Sequence, residues 1–314
     1  MTDIPEAVHD LVTSVTGTFR VVADRSSPGT GRPRIWEVEG PHGCRWFAKQ
    51  NPGPRLHQRE ASAYESGWPS LLGPGRSPLM AAHDPTAQAL VITAVPGQPV
   101  RGQRLAAEQE REVYRQAGQL LARLNTAPVV SPVPEESTVG WEAAVEKMLA
   151  SARLYATPDD LVMLRELTRD QPAILPAVVS HGDYMPRNWL WDPAEQVLRI
   201  IDFERTTIEP SAHRDLPRLH YRLLHGRPDV KAAFYAGLGR TPDAFERHAC
   251  AAYGALDAMS ALRYGLEKRD IEVVDEAHTM LRNLRTDYTQ HLTGQRGHRP
   301  GASAPRARAG EQHG

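Results

Sequence analysis

VVSHGDYMPRNWLWDPAEQVLRIIDFERT, residues 178–206, places Asp183, Asn188 and Asp202 at the ends of short apolar runs. A polar side chain beside a strand is ordinarily turn chemistry, because Asp and Asn hydrogen-bond their own neighbouring backbone. Three of them at this spacing ask for more. Asp183 and Asn188 lie five residues apart on one loop, and Asp202 opens the turn after the next strand. Two carboxylates and an amide oxygen are hard ligands of the kind that hold Mg²⁺ together with substrate phosphates. Two short strands, VVS and LRIID, are expected to flank the loop.

Upstream, residues 5–15 predict a short helix with Ile4, Val8, Leu11 and Val12 on one face. TFRVVADR, RIWEVEG and CRWFAKQ then read as three strands of an antiparallel meander, joined by SSPGTGRP and the tight GPHG. PRLHQREASAYESGW predicts a helix opened by Pro54 and closed near Gly67, and ALVITAV (89–95) a further strand ended by Pro96-Gly97. From residue 104 the pattern turns helical. Val113, Ala117, Leu120, Leu121 and Leu124 form one stripe, and helices are expected over 141–154, 158–168, 229–238, 243–267 and 270–291. The predicted architecture is α+β: a small antiparallel lobe with a hinge (1–97), a larger helical lobe (98–292), and a Gly/Pro/Arg-rich tail (293–314) expected to be disordered.

Lys49 ends the apolar strand RWFAKQ, where an ammonium facing a cleft wants an anion, and Glu60 sits on the following helix, placed to orient it. With these residues in view, the chain resembles the aminoglycoside phosphotransferase and choline kinase-like family, small-molecule kinases with a bilobal protein-kinase-like fold. The resemblance rests on HGDYMPRN (181–188) and IIDFE (200–204), supported by FAK (47–49), REASAYE (59–65), LVITAVPG (90–97), AGQLLARLN (117–125) and RDLPRL (214–219). It spans roughly residues 15–290, with the parts in the family's order.

The resemblance implies Asp183 as the catalytic aspartate toward the attacking hydroxyl, Asn188 and Asp202 as Mg²⁺ ligands, and Lys49 on the α/β-phosphates, held by Glu60. It also implies that the backbone of Thr93, Ala94 and Val95 takes the base of ATP, or of GTP in its place. His181 is expected to be a structural ring and Asp215 a brace for the loop or a helix cap; Glu65 competes with Glu60 for the lysine. Arg187 reads equally as a phosphate contact or a surface arginine. SSPGTGRP (26–33), where a nucleotide-covering loop should lie, lacks GxGxxG, so which of its backbone amides contact phosphate stays open, with Gly29 and Gly31 only weak candidates.

Composition narrows the function classes. Lys+Arg is 37 against Asp+Glu 38, a balance that offers no broad basic surface for nucleic acid. Cys44 and Cys250, the two cysteines, are far apart and form neither a disulfide framework nor a zinc site. No apolar run is long enough to cross a bilayer, and MTDIPEAVHDLV lacks a signal-peptide pattern, so a cytoplasmic protein is expected. The expected partner is a hydroxylated small-molecule acceptor; nothing in the sequence sets the oligomeric state.

Three functions follow: an O-kinase that inactivates an antibiotic, a biosynthetic kinase acting on a natural-product, sugar or peptide hydroxyl, or a pseudokinase that holds nucleotide without turnover. Lys49, Asp183, Asn188 and Asp202 are all present, which counts against the last. Asp257, Glu267, Asp270, Glu272, Asp275 and Glu276 could form an acidic wall for a polycationic acceptor, although charged faces of surface helices are usually only solvated.

Overall fold

The alternating apolar residues of Arg34–Glu39 and Arg45–Gln50 bury one face of a sheet, and everything N-terminal to the hinge is arranged around it. The structure, a computed structural model, describes residues 4–27, 31–129 and 140–296. Strands β1 (Arg20–Asp24), β2 (Arg34–Glu39), β3 (Arg45–Gln50), β4 (Met80–Asp84) and β5 (Ala89–Thr93) form one antiparallel sheet in the order β1-β2-β3-β5-β4. Helix α1 (Glu6–Thr16) covers it with Val8 and Val12, which pack with Trp36, Val38, Ala48 and Val91. Helix α2 (Pro54–Glu65) follows β3, as the Pro54 start signal implies. Strand β4 was not foreseen: MAAHD has no apolar alternation, and its register slips between Met80 and Ala82.

Beyond the hinge come β6 (Gln98–Pro99), α3 (Ala107–Asn125), α4 (Trp141–Tyr155) and α5 (Pro158–Leu167). All five residues of the predicted α3 stripe are buried. The segment 177–210 is richer in strands than expected. VVS lies in β7 (Ala177–Ser180), which pairs with the unforeseen β10 (Thr207–Pro210), whereas LRI lies in β9 (Val197–Ile200), which pairs with β8 (Trp189–Asp192) and through it β6. The WLWD run of β8 is buried on both faces, so it shows no alternation to read. Helix α6 (Asp215–Leu219) tolerates Pro217 because that residue lies in the first turn, whose N–H groups have no intrahelical partner. It continues into a π-helical turn, His220–Leu224. Helices α7 (Pro228–Leu238), α8 (Ala244–Lys268) and α9 (Ile271–Arg296) complete the helical part. Helix α9 continues past residue 293; the rest of the expected tail, 297–314, lies outside the described residues, as does Gly29.

Helices α3 and α7 cross at two glycines. A Cβ on Gly118 would stand 2.0 Å from the Phe234 carbonyl oxygen, and one on Gly237 1.8 Å from that of Arg115. Tyr184 Oη, on the loop 181–188, donates to the Ala117 carbonyl at 2.8 Å, so this contact and the α3 stripe lie beneath that loop. Gly118→Ala is expected to lower stability by about 1–3 kcal/mol through overpacking, read as a drop in the thermal unfolding midpoint. An unchanged midpoint would show that the helices separate freely.

Candidate active site

The pairing of β3 with both β2 and β5 places Lys49 in a central strand, where its side chain is only 6% exposed. Such an ammonium requires counter-charge. Its Nζ lies 3.0 Å from Glu60 Oε2, 2.6 Å from Asp202 Oδ1 and 3.0 Å from Glu204 Oε2. Burial works to lower the Lys49 pKa, but Asp202, Glu60 and Glu204 outweigh it and hold the amine well above its usual value. Glu60, completely buried on α2, also accepts from Asn51 Nδ2 at 3.1 Å. Its carboxyl is pushed up to about 7 by burial, against the pull of Lys49. Glu65 points elsewhere, to His83 Nε2 at 3.1 Å, which resolves the choice of lysine partner for Glu60.

The 2.6 Å contact between Lys49 and Asp202 brings the sheet and the helical part together across the cleft. Asp202 follows β9 with a left-handed φ of 69°. Phe203 behind it is buried between His181, at 5.1 Å between ring centroids, and Tyr64, at 5.7 Å. Glu204 was missed as a site residue, although it lies in the same IIDFE run, two positions beyond Asp202. Lys49 faces three carboxylates with only Arg205, 3.9 Å from Glu204 Oε1, beside it, and Glu204 Oε2 is buried outside hydrogen-bond geometry. That excess of anionic oxygen is what a divalent cation neutralises.

The loop 181–188 is held from behind. Ser180 Oγ and the His181 amide donate to Asp215 Oδ2 at 2.8 and 2.7 Å, the bracing expected of Asp215. His181 is completely buried; its Nδ1 accepts from the Asp183 amide at 3.3 Å, so its Nε2 donates to the Ile201 carbonyl at 3.1 Å. Gly182 adopts φ 75°, and a Cβ there would meet the Arg205 carbonyl oxygen at 2.3 Å. Only glycine suits that turn. Asp183 is 8% exposed. Its Oδ1 accepts from Arg187 Nη2 at 2.6 Å, and its Oδ2 from Asn188 Nδ2 at 3.0 Å and Arg187 Nε at 3.2 Å. Burial raises its pKa, but Arg187, Arg218 and His181 outweigh that and hold the carboxyl below its ordinary value.

Asn188 and Asp202 come together at the open end of the β8–β9 hairpin: Trp189 pairs with Ile200, and the Ile201 amide donates to the Asn188 carbonyl at 3.0 Å. The Asn188 amide nitrogen is engaged by Asp183, which leaves its Oδ1 as the atom available to a cation. At the hinge the sheet takes two of the three expected amides. Thr93 N donates to Leu79 O at 2.9 Å and Ala94 N to Arg45 O at 3.0 Å, which leaves the Val95 N–H of the three for a nucleotide base. Gly31, at φ 80°, has open space around it.

The acidic wall is largely neutralised. Asp257 is held by Arg218 and Arg222, Asp270 by Arg32, Glu272 by Arg101, and Glu276 by Arg187 and Arg222. Burial opposes ionisation of Asp257, yet the two arginines hold it far below the carboxylate range. The arginines that pair these four acids come from elements other than the helices that carry them, which a reading of the helices alone does not show.

A small antiparallel sheet with a buried Lys–Glu pair, set over a helical part that presents Asp and Asn on a braced loop, defines a two-lobed, kinase-like phosphotransferase. The model of the phosphotransferase enzyme family, APH, matches residues 42–253, and the chain belongs to that family. No curated protein sequence matches it. Among solved structures, the GDP and kanamycin complex of APH(2")-IIIa is similar with a TM-score of 0.63 at 13% identity, over 90% of this chain and 99% of that one. Macrolide 2'-phosphotransferase MphH from Brachybacterium faecium gives 0.56 at 18% identity, over 88% and 98%. A choline/ethanolamine kinase family protein from Mesorhizobium loti gives 0.60 at 17%, over 93% and 98%. The expected fold class is thereby shown. No helix among the described residues is long and apolar enough to cross a membrane.

Proposed function

We propose that the chain transfers the γ-phosphate of ATP, or of GTP, to a hydroxyl of a small molecule, with residues 1–97 as the nucleotide-binding lobe and 98–292 as the catalytic and acceptor lobe. The observation that carries this is the contact of Lys49 with both Glu60 and Asp202, which brings the sheet to the open end of the β8–β9 hairpin where Asn188 also lies. The acceptor oxygen attacks the γ-phosphorus, the bond to the β-phosphate oxygen breaks, and the nucleoside diphosphate leaves. Asp183 takes the hydroxyl proton, and Lys49 holds the α/β-phosphates while Glu60 fixes its position. Asn188 Oδ1 and Asp202, with Glu204 beside them, are the residues that would hold Mg²⁺. When bound, the ion neutralises phosphate charge and aligns the leaving group. The protein's share is positioning and electrostatics rather than covalent chemistry.

A cleft of about 490 Å³ beside the loop, lined by Arg101, Met185, Arg222, Ile271, Asp275 and Glu276 among others, is the proposed acceptor site. Because its carboxylates are mostly matched by arginines, it favours an acceptor of low net charge with apolar surface over a polycation. Both an antibiotic and a biosynthetic intermediate meet that description. The test is Mg²⁺-dependent consumption of ATP and GTP by purified protein against aminoglycosides, macrolides, amino alcohols and sugars, with product mass as readout. Turnover is expected on a macrolide-like or amino-alcohol acceptor, and nucleotide binding without turnover on any acceptor would support the pseudokinase instead. Preference for a polycationic aminoglycoside would overturn the acceptor assignment alone.

A further inference from the structure

Asp183, the proposed proton acceptor, has both carboxylate oxygens covered. Arg187 takes one with Nη2 at 2.6 Å and approaches the other with Nε at 3.2 Å, where Asn188 also donates. Three donors on a carboxylate with about four lone-pair positions, one of them a guanidinium on both oxygens, leave little room and little basicity for the proton of an incoming hydroxyl until the guanidinium moves. The same guanidinium turns its Nη1 toward Glu276 Oε1 on α9, at 3.4 Å, the longest link in the arrangement. Glu276 lines the proposed acceptor cleft.

The far side of the chain of contacts is rigid. Arg222 holds Glu276 and donates to Asp257 Oδ2 at 2.9 Å; Asp257 receives Arg218 at 2.5 to 3.0 Å; Arg218 Nη1 closes the circuit on the Gly182 carbonyl at 2.8 Å. The catalytic loop and α9 are therefore fixed to each other through two well-buried arginines, with side-chain exposures of 15% for Arg218 and 7% for Arg222. Arg187, at 35%, is the arginine of this ring with room to move.

We propose that Arg187 guards Asp183: it caps the carboxylate while the acceptor cleft is empty, and an acceptor seated against Glu276 draws it away, so that the base is released when a hydroxyl is in place. The inference rests on the proposed kinase reading and adds regulation to that site. Its purpose is chemical. A nucleotide bound beside a free carboxylate and water undergoes the same displacement with water as nucleophile, in which a water oxygen bonds to the γ-phosphorus, the bond to the β-phosphate breaks, and one proton goes to Asp183. The yield is nucleoside diphosphate and inorganic phosphate. Arg187 is thus a positioning residue that suppresses futile hydrolysis.

The experiment compares acceptor-independent phosphate release from Mg²⁺ATP and Mg²⁺GTP by the full chain, its Arg187→Met and Arg187→Lys variants, and Arg187→Met combined with Asp183→Ala, after thermal unfolding confirms that each folds. Arg187→Met is expected to raise hydrolysis roughly 10- to 100-fold, the factor carried by a charge-assisted hydrogen bond, and the double variant to return it to the background. Arg187→Lys, which keeps charge but not the forked geometry, should fall between and serves as the readout if the methionine variant does not fold. Hydrolysis that is unchanged, undetectable or lower in Arg187→Met would overturn the guard, and a fall would make Arg187 a phosphate contact. The kinase reading is judged separately, by acceptor phosphorylation in the unmodified protein.

Discussion

Asp183→Asn is expected to lower kcat for acceptor phosphorylation by about 10²–10⁴-fold, the range that a positioned general base contributes. Nucleotide affinity should change little, because Lys49, Glu60 and Asp202 contact one another rather than Asp183. The asparagine preserves the shape of the loop, and its amide oxygen still accepts from one donor, so the unfolding midpoint should move by only a few degrees. What it cannot do is take a proton. With its carboxyl held below the ordinary carboxylate range, Asp183 is a weak base toward a ground-state alcohol. It becomes effective only as the oxygen–phosphorus bond forms and the hydroxyl acidifies, which suits a loose, late-proton-transfer displacement. The measurement is steady-state kinetics with the nucleotide and acceptor varied independently. A variant that keeps a tenth or more of kcat would assign the proton to solvent and leave Asp183 an orienting role.

What was legible in the sequence is what is encoded locally. Asp183 and Asn188 share one loop, and Asp202 follows the next hairpin strand, so their convergence required only that β8 and β9 pair. Lys49 and Glu60 are eleven residues apart on a strand and the helix after it. The contacts that went unread are long in sequence: Arg187 with Glu276 across 89 residues, Arg218 with Asp257 across 39, and Lys49 with Asp202 across 153. An acidic helix face looks the same in sequence whether water or an arginine from another element stands opposite, which is why the pairing of the α8 and α9 acids was not legible. Strands failed for a related reason. Alternation marks a strand with one wet face, and neither the buried WLWD run nor the alanine-rich β4 has it.

The lysine shows how stability and catalysis can be separated at this site. Lys49→Met should abolish productive nucleotide positioning and leave Glu60, Asp202 and Glu204 without their shared cation. Breaking a buried pair by removing one partner costs about 3–5 kcal/mol when the survivor must stay charged. Glu60 has an escape. Its carboxyl already stands at about 7, against 4.5 for an ordinary glutamate, and loss of the lysine removes the charge that lowers it. In the variant it therefore folds protonated near neutrality. The sign follows from linkage: a carboxyl whose folded pKa lies above its unfolded value binds a proton on folding, so its contribution is intact below about 4.5 and is lost as pH rises through the folded value. Lys49→Met should accordingly be close to the parent in unfolding midpoint near pH 5 and fall increasingly below it through pH 7 and 8. Lys49→Met combined with Glu60→Gln should flatten that pH dependence, because the glutamine needs no proton and still accepts from Asn51. It should recover no activity. If the double variant regained phosphotransfer, or if the single variant lost stability equally at all pH values, the buried Lys49–Glu60 pair would not be the element that couples nucleotide positioning to the fold of the sheet.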